Sequence, residues 1–428
     1  MFRKLLLLSI YISLMASFAP HRLHAETDEH PALPDPLVMQ DGKRVDSADM
    51  WRRVRRPELQ QLFETYVYGR VPHGPPYDSQ PPLAHRVLFE DPRAFNGAGT
   101  LREVELTLGP PEWPKIYLLI ATPNDVPRAP CFVGMNFAGN HQLLDDPRVR
   151  LPDGWMPDRH PGAGDNRATD AGRGAQANDW PLAEIVRRGY AVAVFYCGDI
   201  QPDRPDVNEG MRATLAADGE ADPAETATIM WWAWGIQRAI DYLVTDDAID
   251  PDRIAVVGHS RLGKTALLAG ALDERVALTV ANQAGCGGSG PSRHHDPKAE
   301  TVKIITKNFP HWFAGNFTKF GDDPSRLPVD QNCLVAMCAP RPVLFTAAAD
   351  DLWANPTGQF EVLQAATPVY ELLGVDGLKA DAMPAADAPL LGDGRLGYWI
   401  RGGKHAMTPA DWKIYMDFAD RRLGFQPD

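Results

Sequence analysis

The sixteen residues 253–268, RIAVVGHSRLGKTALL, constrain the fold more than any other stretch of this chain. Residues 254–257 are apolar and mostly β-branched, which is typical of a buried strand. Gly258 ends this run, and the spacing of apolar residues from Leu262 onward indicates a helix. Ser260 is therefore predicted to lie on a sharp turn between a strand and the helix that follows it.

Two interpretations of Ser260 fit this turn. The stretch resembles the Gly-x-Ser-x-Gly nucleophile elbow because Gly258 lies two residues before the serine, but Gly263 comes three residues after it. In the first interpretation the hydroxyl is exposed at a helix N-terminus, where free N–H groups can receive an anion. In the second interpretation Ser260 only caps the helix. Residues elsewhere in the chain are needed to choose between these two interpretations.

The N-terminus has the pattern of a secretory signal. A basic start at residues 3–4 precedes an apolar run at 5–18 that is short for a membrane span, and Ala25 offers a small residue for cleavage. We expect residues 1–25 to be removed and the mature protein to be secreted or periplasmic.

The formal net charge of the chain is −13, which argues against nucleic acid or an anionic membrane surface as a partner.

Strand-like apolar runs alternate with helical patterns along most of the chain. This alternation predicts an α/β fold with a mostly parallel sheet that is covered on both faces. Residues 26–428 are predicted to form a single domain, with an N-terminal extension, an antiparallel start to the sheet and a long inserted loop around 144–179. Strands are expected at 86–89, 100–108, 116–121, 131–136, 190–196, 254–257, 277–281, 342–348 and 397–400, and helices at 47–68, 180–188, 224–245, 360–370 and 409–423.

The candidate partners of Ser260 come late in the chain. In α/β-hydrolases the serine is followed along the chain by an acid and then by a histidine. His405 lies in a glycine-rich loop after the last predicted strand, where the base of this fold belongs. Asp350 and Asp351 follow strand 342–348, so either carboxylate is placed to orient the imidazole. Without Ser260, His405 would be interpreted as an exposed loop residue.

Other polar residues are weaker candidates for these roles. His295 and His311 both precede the acid and break the expected order. Asn140 and His141 follow strand 131–136, where the α/β-hydrolase fold builds part of its oxyanion pocket. Outside that fold, the two residues would form an ordinary polar loop.

Two cations follow Ser260 closely. A buried Arg261 needs an anion to offset its desolvation, and the oxyanion that forms on an ester carbonyl is one candidate. Lys264 is about one helical turn further on and faces the same side as Ser260, although it can also be an ordinary exposed lysine. Together they suggest an acyl group that is acidic or rich in hydroxyls.

Five cysteines leave at least one thiol unpaired within the chain. Cys131 and Cys197 lie in apolar runs and are predicted to be buried thiols. If the chain is exported, Cys286 is a candidate for a disulfide with Cys333 or with Cys338, and both pairings stay open. No cysteine or histidine pair has the spacing of zinc ligands. We expect neither a metal nor another cofactor.

Seven motifs in the C-terminal half occur in a characteristic order. They are GHSRLGKTAL at 258–267, NQAGCGGSG at 282–290, NFPHWFAGNF at 308–317, LPVDQN at 327–332, APRPVLF at 339–345, DLWANPTG at 351–358 and GGKHAMT at 402–408. In these motifs the chain resembles the glucuronoyl esterases, carbohydrate esterase family 15, of the bacterial type. The resemblance extends from about Arg86 to the C-terminus. It implies a three-layer α/β-hydrolase that cleaves the ester between 4-O-methyl-glucuronate of glucuronoxylan and lignin alcohols.

The resemblance also bears on the choice of the acid. Many family members hold the acid where this chain has Gln283, and a glutamine cannot stabilise an imidazolium by charge. Similar bacterial members use an aspartate two residues before the sugar-site tryptophan, Trp353, and that position is Asp351 here. Asp351 is therefore the expected acid, with Asp350 as the alternative.

The other roles are also implied by the resemblance. The substrate would be glucuronoxylan or a lignin–carbohydrate complex, and we expect the protein to be a monomer. A disulfide of the fungal members is absent, because His259 and Ala406 occupy its two positions. The resemblance matches Ser260 to the nucleophile, His405 to the base, Arg261 to the oxyanion-stabilising arginine, Lys264 to the lysine that binds uronate hydroxyls, Trp353 to the sugar-site tryptophan, and Glu300 and Asn308 to polar sugar contacts.

Two other functions stay open at the level of sequence. An acetyl-xylan esterase, or another carbohydrate esterase, would use the same serine chemistry, but an acetyl group needs no lysine or tryptophan to bind a uronate. The second alternative is an inactive hydrolase fold that binds carbohydrate. The presence of Ser260, Asp351 and His405 together argues against that alternative.

Overall fold

A nine-stranded sheet forms the centre of the molecule. The computed structural model describes residues 32–72, 83–206, 209–215, 222, 224–294 and 296–425. Numbered in chain order, the strands lie across the sheet as β1-β2-β3-β5-β4-β6-β7-β8-β9. They are β1 (His85–Ala94), β2 (Gly99–Thr107), β3 (Lys115–Pro123), β4 (Ala129–Asn136), β5 (Ala191–Tyr196), β6 (Ile249–His259), β7 (Leu278–Asn282), β8 (Val343–Ala348) and β9 (Leu396–Arg401).

The sheet changes from antiparallel to parallel at β5. The pairs β1–β2, β2–β3 and β3–β5 are antiparallel, as the sequence predicted for the start of the sheet. The pairs β5–β4, β4–β6, β6–β7, β7–β8 and β8–β9 are all parallel. This strand order and polarity are those of the α/β-hydrolase fold, so the predicted fold class is confirmed. Because the strands from β4 onward run parallel, their carboxyl ends meet at one edge of the sheet.

Helices cover both faces of the sheet. The helical segment at 48–68 combines a short turn (Ala48–Met50), two π-helical stretches (Trp51–Arg55 and Glu64–Tyr68) and the α-helix α1 (Arg56–Phe63). Ser47 caps this segment, since its hydroxyl accepts a hydrogen bond from the Met50 backbone N–H. The remaining helices are α2 (Leu182–Arg187), α3 (Gly210–Thr214), α4 (Thr228–Leu243), α5 (Arg261–Leu272), α6 (Val302–Asn308), α7 (Gln331–Cys338), α8 (Pro356–Leu372) and α9 (Pro409–Leu423).

Strand β6 shows how the two faces are buried. Val256 belongs to the core that includes α4, α5, α7 and α8, whereas Ala255 and Val257 belong to the opposite core with α2 and α9. This double burial explains why the strand is apolar throughout rather than alternating. Trp232 and Trp234 of α4 are fully buried, so the tryptophans of this helix are core residues, as expected.

The inserted loop 144–179 contains little regular structure. It carries a two-residue hairpin, Ala163–Gly164 with Arg167–Ala168, and the 3-10 turn Asp170–Gly172. The Arg173 guanidinium donates to the backbone carbonyls of Asp146 and Val149 at 2.7 and 2.8 Å, which ties the two ends of the loop together.

The expected signal at 1–25 lies outside the described residues. Among the described residues, no helix is long and apolar enough to cross a membrane.

The disulfide considered for Cys286 is not formed. All five cysteines are buried free thiols, as predicted for Cys131 and Cys197. Cys286 lies in the loop after β7, whereas Cys333 and Cys338 are buried on α7, where the Cys338 Sγ donates to the Leu334 carbonyl at 3.8 Å. Neither of the two pairings considered for Cys286 is therefore present in the structure.

Candidate active site

Ser260 sits on a strained turn between β6 and α5. Its backbone angles are φ 56° and ψ −127°, which few residues other than glycine adopt. The Ser260 N–H donates to the Asn282 carbonyl at 2.9 Å, and its carbonyl accepts from the Gly263 N–H at 2.9 Å. A Cβ atom at Gly258 would lie 2.0 Å from the Leu262 carbonyl oxygen, so the chain can turn this tightly only with glycine there. The sharp turn predicted at Ser260 is therefore confirmed.

His405 is paired with Asp351 rather than with Asp350. The Asp351 Oδ2 lies 2.7 Å from the His405 Nδ1, and this carboxylate is buried. Asp350 is exposed, and its backbone N–H donates to the Gly403 carbonyl at 3.0 Å. With Nδ1 bound to a carboxylate, Nε2 is the ring nitrogen left for a serine hydroxyl. Ser260, Asp351 and His405 line the same pocket.

A second histidine packs against the base. The ring centroids of His259 and His405 are 4.5 Å apart. Burial, together with the neighbouring His405 and Arg261, lowers the pKa of His259 well below its ordinary value. His259 is therefore an uncharged ring that packs against the exposed His405 ring.

Gln283 fixes the loop that carries His405. Its side-chain amide donates to the Ala406 carbonyl at 2.9 Å, and its carbonyl oxygen accepts from the Ala406 N–H at 3.0 Å. Arg401 adds to this support, because it donates to the carbonyls of Lys404 and Ala406 and forms an ion pair with Asp411. A carboxylate cannot donate to a carbonyl, so this two-way contact requires the amide of a glutamine.

The Arg261 guanidinium faces Asp203, an acid that was not predicted from the sequence. Its Nε lies 2.8 Å from the Oδ2 of Asp203, and the guanidinium carbon lies 4.3 Å from the centroid of the Phe137 ring. The Arg261 backbone N–H, at the first position of α5, has no acceptor within the helix. A guanidinium and a free N–H therefore both lie beside Ser260, as an oxyanion site requires.

Asp203 remains ionised although it is buried. Burial acts to raise its pKa, but the charge of Arg261 and hydrogen bonds from His311 and Trp312 outweigh burial and hold the pKa below its usual range. His311, considered above as an alternative base, is bound to this carboxylate. Asp203 belongs to no motif and follows a 3-10 turn rather than a strand, so no signal in the sequence pointed to it.

Lys264 is buried and fully hydrogen-bonded. Its Nζ donates to the carbonyls of Ala284 and Cys286 at 2.7 and 2.5 Å and to the Glu300 carboxylate at 3.1 Å. An ammonium has three protons, so each proton already has a partner. The Glu300 N–H donates in turn to the Trp353 carbonyl at 2.9 Å, which joins the two segments that carry these candidate sugar contacts.

The pocket has a volume of about 580 Å³. Trp353 is 46% exposed at its rim, and Arg159 of the inserted loop also reaches it. Asn308 does not line the pocket, contrary to the prediction, because it ends α6 with an exposed side chain and the next residue, Phe309, turns inward. The lining residues are Arg159, Asp203, Ser260, Arg261, Lys264, Gln283, Ala284, Gly285, Glu300, Phe309, Trp312, Asp351, Trp353, Ala354 and His405.

The residues predicted beside an oxyanion pocket, Asn140 and His141, do not line the pocket of Ser260. The Asn140 side chain donates to the Tyr117 carbonyl at 2.7 Å and accepts from Asn136 at 2.8 Å, so it supports strands rather than a substrate. His141 is fully buried, and burial lowers its pKa to about 4. Phe137 is the residue after β4 that reaches the site, through Arg261. His295, an alternative base, lies outside the described residues.

Comparisons with known proteins agree on one family. A family model described as glucuronyl esterase of fungi matches residues 221–374. A 4-O-methyl-glucuronoyl methylesterase from Schizophyllum commune is 37% identical over 353 residues, which cover 80% of this chain and 74% of that protein. Structures give the same result: a CE15 esterase from a marine bacterial metagenome, described as promiscuous, is 42% identical with a TM-score of 0.84 over 92% of this chain and 98% of that one. A glucuronoyl esterase from Solibacter usitatus is 34% identical with a TM-score of 0.84 over 92% of this chain and 100% of that one.

Proposed function

Because the chain belongs to the glucuronoyl esterases, carbohydrate esterase family 15, we propose that it hydrolyses the ester between 4-O-methyl-glucuronate of glucuronoxylan and lignin alcohols. The protein is a carboxylic ester hydrolase of the α/β-hydrolase fold. The observation that carries the proposed substrate is the pocket itself. It combines Ser260, His405 and Asp351 with a buried Lys264–Glu300 pair and an exposed Trp353.

The proposed reaction is a serine acyl transfer. The His405 Nε2 removes the proton of the Ser260 hydroxyl, and the serine oxygen attacks the carbonyl carbon of the uronate ester. The negative charge that develops on the carbonyl oxygen is stabilised by the Arg261 guanidinium and backbone N–H. His405 then protonates the alcohol oxygen as the ester bond breaks, which leaves the uronate on Ser260. Asp351 holds the imidazole through Nδ1 during these steps.

Water completes the proposed cycle. His405 removes a proton from a water molecule, and the resulting hydroxide attacks the acyl carbon through a second tetrahedral intermediate at the same oxyanion site. As the bond to the serine oxygen breaks, His405 returns the proton to Ser260. The products are the free uronate, which is ionised at neutral pH, and the alcohol.

Sugar recognition is proposed for Lys264, Glu300 and Trp353. The Glu300 carboxylate is an acceptor for sugar hydroxyls, and the exposed Trp353 ring offers an apolar face to a pyranose. Lys264 has no spare proton in this structure, so we propose that a sugar hydroxyl shares or replaces one of its three contacts. Asn308 is left out of this set because its side chain is exposed outside the pocket.

The test compares two esters on the same enzyme. Benzyl glucuronate presents the uronate that the proposed sugar site recognises, whereas 4-nitrophenyl acetate presents only an activated acyl group. We expect kcat/KM to favour benzyl glucuronate, and we expect Lys264→Met to reduce its hydrolysis much more than that of the acetate. A wide preference for acetate would instead favour an acetyl esterase. If Ser260→Ala left sugar binding and every measured activity unchanged, a carbohydrate-binding protein would be the better interpretation.

A broader ester range is a second candidate for the same site, since the 42% identical structure is described as a promiscuous esterase. Hydrolysis of several simple alkyl esters at rates close to that of benzyl glucuronate would support it. We further propose that residues 1–25 are removed on export, that residues 26–428 form one domain, and that the mature protein acts outside the cytoplasm as a monomer. Mass spectrometry of the native protein from culture fractions tests the processing and the location.

A further inference from the structure

Asp203 connects three separate parts of the chain beside the nucleophile. Its Oδ1 accepts a hydrogen bond from the Trp312 Nε1 at 2.7 Å and lies 2.9 Å from the His311 Nε2. Its Oδ2 lies 2.8 Å from the Arg261 Nε. The side chain of Asp203 is only 9% exposed, so these contacts are largely shielded from water. A carboxylate in such a position acts strongly on the cation next to it.

The contact with Arg261 is one of charge rather than a directed hydrogen bond. The Arg261 Nε is buried and has no acceptor in hydrogen-bond geometry, although the Asp203 oxygen is within ion-pair distance. The Phe137 ring packs against the guanidinium, with 4.3 Å between the ring centroid and the guanidinium carbon. Asp203 lies at the Nε side of the same group. The Nη groups form no hydrogen bond with any part of the chain that the structure describes.

We propose that Asp203 is a positioning residue for ester hydrolysis, which holds the Arg261 guanidinium at the point where the oxyanion forms. The inference rests on the proposed function, because it requires a serine nucleophile that attacks an ester. Asp203 acts through Arg261 and not on the reacting atoms. The oxyanion exists only in the transition state, so loss of this restraint lowers kcat and leaves KM almost unchanged.

A double-mutant cycle tests the proposal. Asp203→Asn keeps the size of the side chain and an oxygen for Trp312, but it places an amide N–H₂ against the Arg261 Nε, donor against donor. We expect its kcat on benzyl glucuronate to fall about 10- to 100-fold, somewhat less than the loss of a whole oxyanion donor, with KM within about twofold of the wild type. In an Arg261→Ala background the same substitution is expected to change kcat by less than about twofold.

Two results would overturn the inference. One is a wild-type kcat in Asp203→Asn. The other is the same fold-loss from Asp203→Asn in both backgrounds, which would make Asp203 a support of the fold and not of Arg261. If Asp203→Asn does not fold, Asp203→Glu, which keeps the charge and displaces it by one methylene, goes through the same cycle with the same criteria.

A matched control separates this effect from the general cost of breaking a buried ion pair. Asp241 on α4 is 2% exposed and lies 2.7 Å from the Arg275 Nη1, away from the pocket. Asp241→Asn is expected to lower the melting temperature with kcat unchanged. The proposed substrate is refuted by a different result, which is that the wild-type enzyme does not hydrolyse benzyl glucuronate. In that case the cycle is measured with 4-nitrophenyl acetate, which forms the same oxyanion.

Discussion

Replacing Asp351 by asparagine is the sharpest test of the proposed base. The Oδ2–Nδ1 distance of 2.7 Å places a full negative charge next to the ring that becomes an imidazolium during catalysis. At a charge separation of about 4 Å and an effective dielectric constant of about 20, this attraction is worth about 4 kcal/mol. The His405 side chain is 40% exposed, so water reduces this value, and about 3 kcal/mol is a reasonable expectation. We therefore expect kcat to fall about 100-fold, at 1.36 kcal/mol for each factor of ten.

The assay is steady-state hydrolysis of benzyl glucuronate at pH 7, with Asp350→Asn as the matched control. Asp350 is adjacent in sequence and carries the same charge, but it is exposed and its contact with the His405 loop runs through backbone atoms. Its substitution is expected to leave kcat within about twofold, as for most exposed positions. An Asp351→Asn enzyme that kept a third of the wild-type kcat would refute the assignment of the acid. Equal losses in the two variants would refute it as well.

Two further predictions concern stability and redox state. Burial raises the pKa of Asp199 to about 8, so the folded chain keeps a proton there that the unfolded chain releases near pH 4. The contribution of Asp199 to stability should therefore fall as the pH rises from about 4 to about 8. Asp199→Asn should raise the melting temperature more at pH 8 than at pH 5, and an equal gain at both pH values would contradict this reasoning. All five cysteines are free and buried, so a thiol reagent should detect almost no thiols in the folded protein. After denaturation without reductant it should detect five. A lower count in the denatured protein would reveal a disulfide.

Much of the catalytic geometry could be predicted because it follows local rules. The strand at 254–257 and the helix after Ser260 are set by apolar periodicity, and Gly258 allows the chain to turn between them. The positions of Asp351 and His405 follow from topology, since each comes directly after a parallel strand and such strands end at one edge of the sheet. Their order along the chain was therefore enough to place them near one another.

The contacts that were not predicted correctly from the sequence depend on how side chains pack in the folded chain. Asp203 is bound by side chains from more than 50 residues further along the chain, and nothing in its own segment marks it. Asn140 was expected near the oxyanion because it follows β4, but the Tyr117 carbonyl of β3 takes its amide. Asn308 was predicted to contact the sugar, but α6 ends at this residue and only the next side chain, that of Phe309, turns into the pocket. A pattern of residue types does not encode such choices among nearby partners.

The pocket balances its charges internally. The Lys264 Nζ lies 3.1 Å from Glu300, the Arg261 Nε lies 2.8 Å from Asp203, and the Arg159 Nη2 lies 3.8 Å from the same Asp203 oxygen. An uncharged ester therefore enters a site in which each of these cations already lies within ion-pair distance of a carboxylate, with Arg159 and Arg261 sharing Asp203. The cations that line the pocket are Arg159, Arg261 and Lys264, and the carboxylates are Asp203, Glu300 and Asp351.

Hydrolysis changes this balance because the product is a carboxylate. The product anion meets three cations that already have partners, in a chain whose formal net charge is −13. We expect free glucuronate to bind at least about tenfold more weakly than the ester, a difference of about 1.4 kcal/mol, so its competitive Ki should exceed the KM of benzyl glucuronate by that factor. Adding salt should lower this Ki, since it screens the repulsion of like charges. A Ki below KM at low salt would contradict the reasoning, because it would mean that the cations of the pocket attract the product despite their carboxylate partners.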